Sequence, residues 1–309
     1  MSETIAGLPS DRSRHLGGVA LMGASALGFA ANALLIRELG RFLTVDVWLL
    51  TSVRFLVGLG VLALCFRRQF EPGHLFRNRK LLERGLIGGA GVWTYYEAIV
   101  HVGAARSTFI NSTYIFWAAL MAAWAFRERL RPLTLARAAA ALAGVALLTN
   151  VFTAGGGAGL YDGLALLSAL GSAYVAIAIR QLHATEHTAT IFGAQCVFGL
   201  LLCGPPAALH LQPLAPPAWG LVLLSGLCVA GAQLAQTRAY RDLRVAEGSL
   251  LQMLSPLGTA AGGAVFFGER LSLRELAGAA LILAGTVSVA LRRPGTYPSP
   301  VGPFWQETC

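Results

Sequence analysis

Three groups of residues have types and spacings suited to chemistry. His183, Glu186 and His187 stand in H-A-T-E-H, which fits the H-x-x-E-H pattern of some zinc peptidases. There the histidines bind zinc on one helix face while the glutamate acts on water. Here the motif falls in a short linker beside Arg180 with no clear third ligand after it, which favours a solvated loop over a hydrolase. Arg54 and Glu97 are the arginine and the carboxylate set deepest in apolar sequence. They suit either an ion pair bracing two helices or a division of labour. In the second case Arg54 holds a substrate carboxylate or phosphate and Glu97 is a proton-coupling or gating acid.

The third group is polar and aromatic. Trp93, Glu97 and His101 recur at helical spacing, with Tyr96 on nearly the same face. Asn32, Asn111, Tyr114, Tyr174, Gln195, Gln233, Gln236, Gln252 and Ser255 also lie inside otherwise apolar stretches. Such side chains avoid lipid and turn toward a cavity or one another. Aromatic faces and neutral amides suit an organic solute with an apolar part and some hydrogen-bonding groups. Trp48, Trp124 and Trp219, nearer the ends of their stretches, fit interfacial belts instead.

The elements carrying these residues follow from composition. Of 309 residues, 55% are hydrophobic and 13% charged, against roughly 25% charged in a soluble domain. Predominantly apolar stretches long enough to cross a bilayer recur at 16–36, 46–66, 85–102, 107–126, 133–151, 160–180, 189–209, 217–237, 247–267 and 273–291. The expected fold is an all-α integral membrane protein with ten transmembrane helices. Many of the 36 glycines fall inside these stretches, where Gly258 and Gly262 allow close helix approach, while Gly155, Gly156 and Gly157 suit a loop. The first stretch lacks a convincing cleavage site and reads as a retained helix. Cys65, Cys196, Cys203, Cys228 and Cys309 imply no disulfide framework.

Most of the 24 basic residues, Arg67, Arg68, Arg77, Arg79, Lys80 and Arg84 among them, fall in segments that lie on one side if both termini are cytoplasmic. That is the positive-inside bias, and it predicts a multi-pass protein of the cell membrane. It also accounts for the net charge of +9 without nucleic acid, because no motif organises the basic residues into a binding surface. Residues 1–15 read as a cytoplasmic tail, and 294–309, with four prolines, as a disordered one.

An internal repeat sets the architecture. Phe126, Glu128, Arg129 and Leu130 reappear as Phe267, Glu269, Arg270 and Leu271, and at the same offset Ala98, Ala105 and Gly144 match Ala239, Ala246 and Gly285. Near the start of each half, Ser25, Ala26, Leu27, Gly28 and Arg37 recur as Ser168, Ala169, Leu170, Gly171 and Arg180. Two five-helix units, residues 16–151 and 158–293, must enter the membrane in opposite senses because five is odd. The result is an inverted pair around a central cavity, as in secondary transporters.

The stretch from Ala105 through F-R-E-R-L to Gly144, and its partner from Ala246 through Pro256 and F-G-E-R-L to Gly285, resemble the EamA domain of the drug/metabolite transporter superfamily. The resemblance covers about residues 16–293. It implies helices 1 to 4 and 6 to 9 around a cavity, helices 5 and 10 at the periphery, and export of amino acids or related amphipathic metabolites. Arg54 stands where such proteins often carry an arginine whatever the substrate. One departure is Ile115 where the second copy has Pro256, which leaves open whether the fourth helix bends as the ninth should.

The expected function is alternating-access transport of a small-molecule substrate across a lipid bilayer, with no cofactor, metal or catalytic residue. The alternatives are the zinc hydrolase on His183, Glu186 and His187, and a membrane sensor that transports nothing. No phosphate-binding glycine loop, nucleophile elbow or dinucleotide fingerprint occurs, so this chain alone does not read as ATP-driven. Small residues such as Gly278 and Gly285 would allow a homodimer through the peripheral helices.

Overall fold

The computed structural model describes residues 11–39, 46–126, 132–151, 159–209 and 214–290. Among the described residues the regular structure is helix, with no strand. In the first half α1 (Asp11–Leu39), α2 (Val47–Cys65) and the short α3 (His74–Arg77) lead to α4 (Arg79–Val102). There follow α5 (Ala104–Ser112), α6 (Tyr114–Phe126) and α7 (Pro132–Leu148). The second half holds α8 (Leu160–Leu182), α9 (Thr188–Leu209), α10 (Pro216–Asp242), α11 (Val245–Leu251), α12 (Leu254–Phe267) and α13 (Leu273–Ala290). Helix therefore occupies each apolar stretch marked in the sequence. Arg41, Gly155 to Gly157, residues 1–10 of the N-terminal tail, the C-terminal tail with Cys309 and the first copy's turn at Glu128, Arg129 and Leu130 lie outside the described residues, while residues 11–15, expected in the tail, already belong to α1.

Among the described residues seven helical stretches are long and apolar enough to cross a membrane: Arg12–Leu39, Val47–Cys65, Ala104–Phe126, Leu160–Leu182, Thr188–Leu209, Pro216–Asp242 and Val245–Phe267. Large apolar side chains stand on their outer surfaces, among them Leu64, Trp124, Leu209, Val265 and Phe266. A hydrocarbon solvent welcomes such a surface, and helices satisfy their own backbone groups within it. Starts are set by local polar groups. The Asp46 carboxylate accepts from Trp48 N at 2.7 Å and Leu49 N at 3.1 Å to begin α2, and the Asn78 side chain accepts from Lys80 N at 3.1 Å to begin α4.

The fourth and ninth stretches break at corresponding places, between α5 and α6 at Thr113 and between α11 and α12 at Gln252 and Met253. Both halves bend although only the second carries the proline. In the first, Thr113 N bonds the Ile110 carbonyl, and the hydroxyls of Ser112 and Thr113 take the carbonyls of Thr108 and Ile110 at 2.7 Å each. Hydroxyls that compete for helix carbonyls loosen the turn without proline.

Packing pairs the two halves closely. α1 lies against α10 and α12, α4 against α8 and α9, α2 against α9 and α10, α6 against α8, and α7 against α13. Gly258 and Gly262 admit Ala30 and Leu34 of α1, as expected of small residues at a helix contact. Gly278 and Gly285 are also used inside the chain. A Cβ on Gly278 would stand 2.6 Å from the Gly144 carbonyl oxygen, and one on Gly285 would stand 3.3 Å from Ala141 Cβ. These glycines form the α7–α13 contact and are not free as a dimer seam. Gly278→Val should therefore lower the melting temperature of the purified protein by roughly 5 °C, the scale of a 1–3 kcal/mol overpacking penalty. An unchanged melting curve would show that the two helices can separate without cost.

Candidate functional site

The polar groups gather at Arg54 on α2. Its Nη1 donates to Tyr96 Oη of α4 at 3.2 Å and its Nη2 to Gln233 Oε1 of α10 at 3.3 Å. Gln233 Nε2 in turn donates to Gln236 Oε1 at 2.9 Å. Trp93, one turn before Tyr96, stacks on Trp48 of α2 with ring centroids 4.7 Å apart, and its indole nitrogen is buried without a partner. Trp48, half-buried near the start of α2, thus packs its ring on Trp93.

Arg54 does not meet Glu97. The Glu97 carboxylate turns toward His101, 3.8 Å from its Nδ1, and His101 stacks on Tyr161 at 3.8 Å. Tyr96 and Glu97 are neighbours in sequence but diverge by about 100° around a helix, so only one of them can face α2.

The remaining polar residues fall into separate contacts. Asn32 of α1 accepts from Ser225 Oγ of α10 at 2.7 Å. Gln252 at the second break accepts from Ser25 Oγ at 3.4 Å. Asn111 at the first break has its Oδ1 buried without a partner. Tyr114 donates to the Ser249 carbonyl at 3.1 Å within the main apolar core, and Tyr174 donates to Glu83 Oε2 at 2.6 Å.

Gln195 of α9 joins Arg54 through a crevice also lined by Phe55, Phe192, Cys196, Val229 and Ala230. It is closed, with no room for even a water-sized molecule, against the roughly 300–1,000 Å³ of a site for a drug-sized ligand. Beyond it sits Arg84, which the charge count assigned to a cytoplasmic group and which is in fact fully buried. A glycine face on α4 is the cause. A Cβ on Gly89 would lie 2.6 Å from Gly199 Cα of α9, so the two backbones close over the side chain one turn before. The G-x-x-G-G run from Gly85 to Gly89 was the available signal.

The H-x-x-E-H residues point apart. His183 ends α8 and lies 2.7 Å through Nε2 from the Thr237 carbonyl; burial holds its pKa down to about 4, so it is neutral and the nitrogen donates. Glu186 accepts from Asn78 Nδ2 and lies 3.0 Å from His74 Nδ1, and His187 Nδ1 accepts from Ala189 N at the start of α9. The chain turns between the two histidines, so they share no helix face on which zinc could sit. Among the described residues no three His, Cys, Asp or Glu side chains cluster as a metal site.

His74 and Glu186 instead tie the segment before α4 to the α8–α9 linker. The hydrogen bond to Glu186 and that carboxylate's charge raise the His74 pKa above its ordinary 6.5, with Glu71 adding to the effect and Arg77 opposing it. The link is therefore complete below about pH 6.5 and weakens as pH rises through the raised value. Melting temperature should fall slightly over that interval in the wild type, and His74→Ala should flatten the fall. The half-exposed histidine keeps the effect small.

Residues 16–150 and 159–291 each match the model of the EamA-like transporter family. The chain belongs to the EamA-like transporter family. It is a multi-pass helical membrane protein of a transporter family. The pseudopaline exporter CntI of Pseudomonas aeruginosa, found alike in two strains, is 25% identical over 221 residues, covering 70% of this chain and 76% of its own length. A crystal structure of a protein with 22% identity superposes with a TM-score of 0.73 over 89% of this EamA-like chain and 98% of its own, which speaks for the fold alone.

Proposed function

We propose that this chain is a secondary transporter that exports small organic metabolites, amino acids or related amphipathic compounds, by alternating access. It does so as ten transmembrane helices in two inverted repeats, residues 16–151 and 158–293, in the cell membrane with both termini cytoplasmic. The observation that carries this reading is the exchange of packing partners between halves. If α1, α2, α4, α5–α6 and α7 correspond to α8, α9, α10, α11–α12 and α13, then α1 on α10 has its counterpart in α8 on α4. In the same way α1 on α12 answers to α6 on α8, and α4 on α9 to α10 on α2. A two-fold relation of this kind lets one set of contacts open while its counterpart closes.

Two further contacts support the inversion. The Arg37 guanidinium lies 4.6 Å over the Phe267 ring, and that of Arg180, its partner in the repeat, 4.7 Å over Phe126. These pairs join corresponding residues at opposite ends of the bundle in the proposed orientation. The Arg54, Tyr96 and Gln233 cluster, with Trp93, Gln195 and the break residues Asn111 and Gln252, supplies the donors and aromatic faces for a solute between the halves. Tyr114, Tyr174, Asn32 and Glu97, which in this structure face Ser249, Glu83, Ser225 and His101, would join them as the halves move. The exporter activity carried in the name of the Pseudomonas relative supports efflux. A homodimer through the peripheral helices would rest on outer leucines such as Leu276 and Leu283, both exposed.

The test is uptake and counterflow in proteoliposomes with labelled amino acids, organic acids and nucleosides, each with and without a pH gradient. Saturable movement absent from empty liposomes is the expected result. Verified, folded protein that moves nothing across the panel would overturn the reading.

A further inference from the structure

Asn111 leaves a buried acceptor unfilled beside the first helix break, and the internal repeat shows what should fill it. Asn111 and Gln252 are equivalents at the offset that relates Phe126 to Phe267, and each stands beside the break of its own half. Gln252 Oε1 accepts from Ser25 Oγ of α1 at 3.4 Å. Ser168 of α8 is the equivalent of Ser25, but its hydroxyl donates to the Gly91 carbonyl of α4 at 2.8 Å, and Asn111 Oδ1 is buried with no partner. The helices themselves keep one register. A Cβ on Gly28 of α1 would stand 3.3 Å from the Cys228 carbonyl oxygen of α10, and one on its equivalent Gly171 of α8 would stand 3.7 Å from that of Ile87 of α4. Cys228 matches Ile87 at the repeat offset, as Ala232 matches Gly91. α8 packs on α5 and α6, which meet at the first break, just as α1 packs on α11 and α12, which meet at the second. The halves thus share their backbone contacts and differ in where one hydroxyl proton points. Both serines are buried, and a serine hydroxyl donates to one oxygen at a time.

We propose that Ser25 and Ser168 are exchanging latches at the two helix breaks. In the state shown, Ser25 holds the Gln252 amide while Ser168 is engaged by the Gly91 carbonyl. In the opposite state Ser168 turns to Asn111 Oδ1, and Ser25 leaves Gln252 for the Ala232 carbonyl. The inference rests on the inverted-repeat transporter reading and assigns residues to its switch. Each state keeps two serine hydrogen bonds and leaves one amide oxygen empty, so the exchange conserves bonds and the two states lie close in free energy. An orphaned buried acceptor is costly, and that cost passes from Asn111 to Gln252 as the serines change partners. The two amides therefore act on one state each. Asn111→Leu deletes a bond of the opposite state, and Gln252→Met deletes a bond of the state shown.

Double electron–electron resonance on the full chain in lipid nanodiscs reads the balance between the states. Spin labels are carried by Ile36→Cys with Val265→Cys on α1 and α12, and by Gln181→Cys with Ala123→Cys on α8 and α6, in protein whose native cysteines are serine or alanine. These positions adjoin the Arg37–Phe267 and Arg180–Phe126 contacts. Each pair should show two distances. Asn111→Leu should move their ratio about fivefold toward the distances that the structure shows, the size of one net hydrogen bond. Gln252→Met should move it by a similar factor the other way, and the two changes together should nearly cancel. In a Ser168→Ala background Asn111→Leu should have no effect, because the amide then has no donor in either state. A single distance in every variant, shifts of the same sign, no shift from either amide, or an Asn111 effect that survives Ser168→Ala would each overturn the proposal. Asn111→Ala and Gln252→Ala serve if the first variants do not fold; if these also fail, the amides brace the fold and the exchange is refuted. Shifts without movement in the liposome assay would leave the latches standing in a chain that carries no solute of the panel. Transport without shifts would leave the transporter standing without them.

Discussion

Arg54→Met is expected to cut transport at least tenfold in protein that still folds. Arg54 is the hub that joins α2 to α4 through Tyr96 and to α10 through Gln233. Hydrogen bonds to a charged group contribute about 1.5–3 kcal/mol each, and a loss of that size in the transition between open states is a ten- to hundredfold loss in rate. Glu97→Gln should cost several-fold less, since its carboxylate faces His101 and not the hub. Initial rates of counterflow, normalised to reconstituted protein, decide between them. Equal losses in the two variants would restore the ion pair that their depths suggested, and a normal rate in Arg54→Met would remove the hub from the mechanism.

The contrast between these two residues shows what the sequence could reveal. Apolar stretches, their ends and the repeat are one-dimensional patterns, so every described helix except the short α3 falls where hydrophobicity places it. The F-x-E-R-L repeats likewise mark Phe126 and Phe267 as equivalents, and the structure gives each an arginine from its own equivalent pair. Side-chain partners depend on rotation about each helix axis. Arg54 and Glu97 share a depth but not a direction. Arg84 reads as one of several basic residues beside a loop, and only the closeness of α4 to α9, permitted by Gly85 and Gly89, encloses it. The H-x-x-E-H pattern fails for a related reason. Its spacing assumes helix, and the chain between His183 and His187 is a turn.

Closing the Arg37–Glu269 contact by a covalent bridge should stop transport by more than tenfold, reversibly. Arg37 Nη2 is ion-paired with Glu269 Oε1, and its guanidinium also covers Phe267, so the end of α1 is clasped to the turn after α12. The bond to Arg37 holds the Glu269 pKa below the ordinary carboxylate value, which keeps the pair charged at neutral pH. Each contact is weak because both side chains are more than 40% exposed, about 0.5–1 kcal/mol for the cation over the ring and at most about that for the ion pair. Thermal motion can therefore open the clasp many times per second, as a transporter needs. Removing it by Glu269→Gln should change rates only several-fold, whereas locking it should arrest the cycle. Arg37→Cys with Glu269→Cys, in a background where the native cysteines are serine or alanine, would be joined by a short bifunctional thiosulfonate. Counterflow should then vanish and return on reduction. If quantitative cross-linking left the rate intact, this end of the bundle would not open during transport, and the inverted two-state cycle would lose one of its two gates.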